Sequence, residues 1–258
     1  MQPPNAIREA IAKNGTTLSH DTAQVFRQLY AQHHQESGAS KYRAILKNNI
    51  SYGPHERNVL DVYVPQDTST HSTHPGLVTG DKDLYANIGT QLFCFSWNGS
   101  GDHQLPSRAQ RHLSRWKRGH PNYREWIYNN IHKPEYGNGA PEKVVFIGHS
   151  AGGMHLATNI YYVAGDALTP LVPPLAGVVY ISVPFSYDTS PKNRKGPESI
   201  QDAVFQFVDS YRARSPRGIL PELAIIPEHN HISNVSSIGT EDDVQGRLLR
   251  EFIFKDDS

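Results

Sequence analysis

The apolar positions of the first 65 residues follow two different spacings. In Asn5–Lys13 and Asp21–His34 apolar residues recur every three or four positions, which predicts two amphipathic helices. In Tyr42–Ser51 and Asn58–Val64 apolar and polar residues alternate on either side of Gly53-Pro54, which predicts an antiparallel hairpin. The pattern therefore predicts a helical segment over residues 1–40, followed by the antiparallel edge of a larger sheet.

Further along the chain, apolar runs alternate with helical patterns. The apolar runs predict buried strands at Gln91–Trp97, Val144–Ile147, Leu175–Val183 and Leu223–Pro227. Helical spacing predicts helices at Tyr123–His132, Met154–Tyr161, Glu198–Arg214 and Asp242–Phe254. This alternation is typical of an α/β fold, a mostly parallel sheet with helices on both faces. The length of 258 residues is within the range of one domain, so a single domain over residues 1–258 is expected.

A G-x-S-x-G sequence, Gly148–Gly152, joins the strand Val144–Ile147 to the helical pattern that follows. Strand, tight turn and helix are the context of a nucleophile elbow, whose strained turn projects a serine hydroxyl above the sheet. Glycines two residues before and two after the serine let strand and helix approach closely. The N–H of Ala151 can donate to an oxyanion, helped by the helix dipole. The motif predicts Ser150 as a nucleophile; a glycine-rich turn with an incidental serine is the alternative.

Composition narrows the possible partners. The chain has 25 basic and 25 acidic residues and a net charge of zero, which argues against a nucleic-acid or anionic-membrane partner. Apolar runs are shorter than the roughly 18 residues of a membrane span, and polar Met1–Ala10 is unlike a signal peptide. A single cysteine, Cys94, excludes internal disulfides. These features predict a cytoplasmic protein without a nucleic-acid or membrane partner, and they leave its oligomeric state open.

A candidate general base follows the last predicted strand, in the stretch Glu228-His229-Asn230-His231. Triads on α/β-hydrolase folds run Ser, then acid, then His along the chain, each in a loop after a strand. An imidazole with an ordinary pKa of about 6.5 can accept the serine proton near neutral pH. The spacing leaves both His229 and His231 open. A His-x-His pair is also typical of zinc ligands, but no cysteine or carboxylate cluster accompanies it, so no metal is expected.

Four stretches of the chain resemble the α/β-hydrolases of the carboxylesterase and lipase-like group, relatives of hormone-sensitive lipase, feruloyl esterases and kynurenine formamidase. They are Asn5–Asp21, Ile50–Pro65, Glu142–Ala157 and Leu220–Arg250. The resemblance implies an α/β-hydrolase fold and a serine hydrolase of small esters that works through an acyl-enzyme without metal or cofactor. It also implies N-terminal helices that cap the site, and His231 as the base. Amide hydrolysis, such as arylformamidase activity, and a catalytically impaired binding protein on the same frame are the alternatives.

The chain departs from this family where the oxyanion hole is completed. The family has an apolar strand that enters a His-Gly-Gly-Gly stretch, whereas here His74-Pro75-Gly76 follows no apolar strand. A proline at the second position has no N–H to donate. The resemblance therefore implies Gly76 as the second oxyanion donor, with Leu77 as its alternative, and a sheet reduced in strand number.

The second departure concerns the acid of the triad. The family carries it in an Asp-Pro-x-x sequence, and the matching piece here, Gly196-Pro197-Glu198-Ser199, has glycine at the aspartate position. Glu198 is predicted to be the acid because its longer side chain could recover part of the displacement. Asp188, in the loop after Leu175–Val183, is the alternative on fold grounds. The helix dipole alone also favours a glutamate in a first helical turn.

Overall fold

The computed structural model describes residues 5–14, 19–36, 45–54, 59–64, 76–79, 92–95, 121–162, 175–185, 197–214 and 221–255. The chain forms two compact units. The sheet unit is Tyr42–Ile181, and the helical unit combines Met1–Lys41 with Ser182–Ser258. The single domain over residues 1–258 stays a prediction.

Helices form where the apolar spacing predicts them, and one short helix that it does not predict, α6, forms as well. They are α1 (Asn5–Asn14), α2 (His20–Glu36), α3 (Pro121–Asn130), α4 (Ala151–Ala157), α5 (Pro197–Arg214), α6 (Ser233–Ser236) and α7 (Val244–Ile253). A π-helical turn, Thr158–Tyr162, continues α4. Short 3₁₀ turns at Pro134–Tyr136 and Pro141–Lys143 lead from α3 toward the next strand. Among the described residues, no helix is both long enough and apolar enough to span a membrane.

The described strands of the sheet unit form one six-stranded sheet. They are β1 (Ile45–Ser51), β2 (Val59–Val64), β3 (Gly76–Thr79), β4 (Leu92–Phe95), β5 (Val145–His149) and β6 (Gly177–Ile181). Their spatial order is β1-β2-β4-β3-β5-β6. Both pairings of β2 are antiparallel, and β4, β3, β5 and β6 run parallel. The predicted hairpin and the mostly parallel sheet are confirmed.

The core of the sheet unit lies against β5. Every residue of β5 is buried, as its continuous apolar run predicts, because parallel strands on both sides and packed side chains exclude water. The buried cluster draws on strands β2 and β5 and on helices α3 and α4; it contains Leu60, Val62, Tyr123, Ile127, Ile131, Val144, Phe146, Leu156 and Ile160.

The helical unit has its own smaller core. Ile7 and Ala10 of α1 pack with Phe26 and Tyr30 of α2, and Ile232 joins them from the C-terminal part of the chain. Two hydrogen bonds add to this attachment of α2: His33 Nε2 lies 2.7 Å from Glu241 Oε2, and His34 Nε2 lies 2.9 Å from the carbonyl oxygen of Ser236. The cap role of α1 and α2 stays a prediction.

Two predicted strand assignments are wrong. Leu223–Pro227 is not a strand, and the side chains of Leu223 and Ile225 are 39% and 64% exposed. An apolar run becomes a strand only when a neighbouring strand bonds its backbone, and none is found among the described residues. The second error concerns Gly76–Thr79, which was expected to follow a strand that is missing. This segment is itself a strand, β3, and it lies between β4 and β5.

Candidate active site

Ser150 occupies the turn between β5 and α4 with a backbone φ of 53°. This left-handed conformation is uncommon for residues other than glycine and costs on the order of 1 kcal/mol. The turn is held on both sides, since the Ser150 N–H donates to Ile181 O at 3.0 Å and the Met154 N–H donates to Ser150 O at 3.2 Å. Strain that is held in this way persists because the surrounding structure determines it. The serine is therefore fixed at the carboxyl end of β5.

A pair of glycines brings β5 and α4 into backbone contact. A Cβ on Gly148 would lie 2.5 Å from Gly153 Cα and 3.0 Å from Gly153 N. The motif predicts that Gly148 and Gly152 allow this close approach. The residue that a Cβ on Gly148 would meet is instead Gly153, one position beyond Gly152. Only the path of the helix over the strand decides which glycine makes that contact.

The two predicted oxyanion donors have different positions. Ala151 begins α4 directly after Ser150, so its N–H is among the first of that helix, which have no carbonyl partner within the helix. Gly76 is in register with Val145 of β5, and Leu77 with Phe146. Val145 is five residues before Ser150, a span of about 16 Å along a strand. The end of β3 level with the serine turn is Thr79, opposite Gly148, and the predicted roles of Gly76 and Leu77 stay predictions.

His231 lies in a turn whose backbone is pinned on both sides of it. The Asn230 Oδ1 accepts the N–H groups of Ile232 and Ser233, each at 2.9 Å. The Asn230 N–H donates to Ser233 Oγ at 2.8 Å. Burial, and secondarily the positive charge of Arg27, lowers the pKa of His231 to about 4. The imidazole is therefore neutral near pH 7, the state in which it can accept a proton.

His229 is bound differently, although it is only two residues away. Its side chain is 4% exposed, its Nδ1 lies 3.2 Å from Ser233 Oγ, and its Nε2 lies 3.3 Å from Asp242 Oδ2. Both ring nitrogens thus have polar partners inside the helical unit. The sequence left His229 and His231 open, and the polar partners of both His229 ring nitrogens favour a structural role for His229.

The contact between Asp242 and His229 is not predicted by the sequence. The triad order of the fold places the acid between Ser150 and the histidines, and Asp242 lies outside that part of the chain. Asp242 follows His229 by 13 residues, just before α7, and no local pattern signals that the two side chains meet.

Glu198 is the second residue of α5, in the first turn as predicted. Asp188 lies outside the described residues. Ser150 and Ala151 belong to the sheet unit, whereas Glu198 and His231 belong to the helical unit. The catalytic roles of these four residues stay predictions. Within the described ranges, no group of three or more histidine, cysteine or acidic side chains could hold a metal ion.

Comparison with solved structures identifies the fold. No family model matches the sequence, and no curated protein matches it. Esterase LipW from Mycobacterium marinum is similar in structure, with a TM-score of 0.55 at 12% identity, covering 98% of each chain. Esterase B from Lactobacillus Rhamnosis gives a TM-score of 0.50 at 13% identity, covering 96% of this chain and 95% of that one. The chain has an α/β-hydrolase fold, as the resemblance implied.

Proposed function

We propose that the chain is a serine hydrolase that cleaves small carboxylic esters through an acyl-enzyme on Ser150. The observation that carries this proposal is the left-handed Ser150 turn between a buried parallel strand and a helix. On an α/β-hydrolase fold this arrangement is a nucleophile elbow. The backbone contact of Gly148 with Gly153 supports it, because such an elbow needs a close approach of strand and helix. The similar structures are both described as esterases.

The reaction has two steps. In the first, the Ser150 hydroxyl attacks the ester carbonyl while an imidazole accepts its proton, and the alcohol then leaves with that proton. In the second, water attacks the acyl-enzyme, the imidazole again accepts a proton, and the acid is released as the serine regains its hydrogen. The N–H of Ala151 stabilises the oxyanion in both steps.

We assign the base to His231. Its lowered pKa keeps the imidazole neutral through the physiological range, so no deprotonation has to precede the reaction. Both ring nitrogens of His229 have polar partners, Ser233 and Asp242, which favours a structural role for that residue. Glu198 is the proposed acid that orients the base, and Asp188 is its alternative.

A second candidate function is a hydrolase-fold protein that binds a ligand with little or no turnover. The position of Gly76 favours it, because the donor that the resemblance implied begins β3 at the end remote from Ser150. An amidase of the arylformamidase kind would use the same chemistry at Ser150 and differs only in its substrate.

Labelling with a fluorophosphonate tests the proposal, because this reagent reacts with an activated serine hydroxyl. Wild type should label at Ser150, and Ser150→Ala should neither label nor turn over esters, with a loss of about four decades in rate. Ser182→Ala is the matched control, since Ser182 also follows a parallel strand with a left-handed φ, 49°. That variant should label like wild type.

An inert wild type, or turnover by Ser150→Ala within tenfold of wild type, would refute the proposal. An inert wild type that still binds short esters would support the binding protein. Turnover of p-nitrophenyl acetate and butyrate beside N-formylkynurenine separates the esterase from the amidase. A kcat/KM at least tenfold higher on the amide would assign the chain to the amidase class.

A further inference from the structure

Three side chains near His231, those of Ser233, His229 and Asp242, contact one another in series. Ser233 Oγ accepts the Asn230 N–H at 2.8 Å and lies 3.2 Å from His229 Nδ1. His229 Nε2, on the other side of the ring, lies 3.3 Å from Asp242 Oδ2. Because a carboxylate only accepts hydrogen bonds, this polar contact favours a hydrogen on Nε2.

This Ser-His-Asp arrangement is not a second nucleophilic centre. Ser233 is fully buried, and its oxygen already accepts a backbone N–H. A substrate therefore has no path to its hydroxyl, and an attack would break the bond that holds the turn. The three side chains therefore have a structural role.

They hold the backbone on both sides of His231. Ser233 is bonded to Asn230 through the oxygen that also binds His229, and Asn230 in turn binds the N–H groups of Ile232 and Ser233. His229 is tied from its other side to Asp242, which lies on the segment leading into α7. The turn also contains a left-handed residue, Glu228, with a φ of 63°, a strained conformation that needs such support.

We propose that Asp242 is a positioning residue for the general base: through His229 and Ser233 it fixes the turn from which His231 acts. This inference rests on the proposed function, in which His231 accepts the serine proton. Loss of the Asp242 carboxylate removes a partner of the His229 ring. The turn becomes less ordered, and the imidazole of His231 is displaced. A displacement of about 1 Å in a catalytic group can lower the rate about 100-fold.

The test compares Asp242→Ala with Asp242→Asn and with Asp243→Ala. Asp243 is the adjacent aspartate, and its carboxylate binds Arg250 at 2.7 Å rather than the histidine turn, so it is the control for loss of a neighbouring carboxylate. The measurements are the rate constant of fluorophosphonate labelling at Ser150, kcat and KM on p-nitrophenyl butyrate, and the titration of His231 followed by NMR.

Asp242→Ala should lower the labelling rate and kcat by 10- to 100-fold, with KM changed by less than threefold. Asp242→Asn should recover most of this loss, because its amide oxygen can take the place of the carboxylate oxygen beside His229 Nε2. Asp243→Ala should stay within threefold of wild type. In Asp242→Ala the NMR titration midpoint of His231 should rise from near 4 toward 6.5, because a loosened turn admits water to the ring.

The proposal is overturned if Asp242→Ala labels within threefold of Asp243→Ala, or if Asp242→Asn is as slow as Asp242→Ala. If Asp242→Ala does not fold, Asp242→Asn decides, and a loss above tenfold in that variant contradicts positioning by the polar contact with His229. If wild type itself is inert, the proposed function fails by that result. The NMR titration then decides separately whether Asp242 fixes the turn of His231: an unchanged midpoint in Asp242→Ala refutes this, and a raised midpoint supports it.

Discussion

Replacing Gly148 with alanine should disrupt the elbow without touching a reacting group. The new Cβ would lie 2.5 Å from Gly153 Cα, 3.0 Å from Gly153 N and 3.2 Å from Leu156 Cδ2. Carbon atoms in contact prefer separations of about 3.5–4.0 Å, so strand and helix must separate by about 1–1.5 Å. The leucine can change rotamer, but the glycine backbone cannot yield without moving α4.

The size of the effect follows from that displacement. Overpacking of a core costs about 1–3 kcal/mol of the free energy of unfolding, and a backbone obstacle favours the upper half of this range. The turn at Ser150 lies between the two separating elements, so its hydroxyl moves with them. We expect a loss of about 2–3 kcal/mol in stability and about 100-fold in kcat/KM, the latter from the scale of a 1 Å misplacement.

Gly246→Ala in α7 is the matched control. Its Cβ would lie even closer to a neighbour, 2.0 Å from Asp243 Oδ1, but that atom ends a side chain that can rotate away. Rotation gives up the Asp243–Arg250 ion pair, worth about 0–1 kcal/mol for a partly exposed pair. Alanine in a helix regains up to about 1 kcal/mol relative to glycine. The net change should be near zero.

Urea denaturation gives the free energy of unfolding for both variants, and the comparison requires unchanged m values. Labelling of Ser150 and ester turnover give the rate. The reasoning is refuted if Gly246→Ala is the more destabilised variant. It is equally refuted if Gly148→Ala unfolds within about 0.5 kcal/mol of wild type, the usual range for surface substitutions, and retains its full rate.

His231→Ala should cost about four decades in kcat/KM and His229→Ala only 10- to 100-fold, because the first removes the base and the second loosens its turn; the reverse order on p-nitrophenyl butyrate would move the base to His229. Since the pKa of His231 is lowered to about 4, kcat/KM should keep its plateau down to about pH 5 and reach half near pH 4, and a midpoint near 6.5 would contradict this. The same shift makes the free energy of unfolding fall as pH drops from about 6.5 toward 4, by on the order of 3 kcal/mol, which urea titrations at both ends of that range can measure. Glu198→Gln should slow turnover more than Asp188→Asn; a large loss only in the asparagine variant would move the acid to Asp188, and no loss in either would mean that the base works without an orienting acid.

The elements around Ser150 could be predicted because their signals are local. A continuous apolar run predicts a buried strand, and β5 is buried throughout. Glycines at the turn and helical spacing after it predict the strand–turn–helix unit, and Ser150 has the left-handed backbone that such a turn requires. The antiparallel hairpin of β1 and β2 was predicted for the same reason, since alternation over a few residues is visible in the sequence itself.

The remaining features depend on partners that are distant in sequence. Gly76–Thr79 is too short to be identified as a strand by pattern, and it is one because β4 and β5 bond its backbone on both edges. Leu223–Pro227 has a strand-like pattern and is not a strand. The sequence by itself thus determined the turn at Ser150 and the α/β class. Only the tertiary structure decided the register that places Gly76 opposite Val145, five residues before Ser150. It also decided the contact between Asp242 and His229. Contacts between distant segments produce no periodic pattern in the sequence, so the sequence could not predict them.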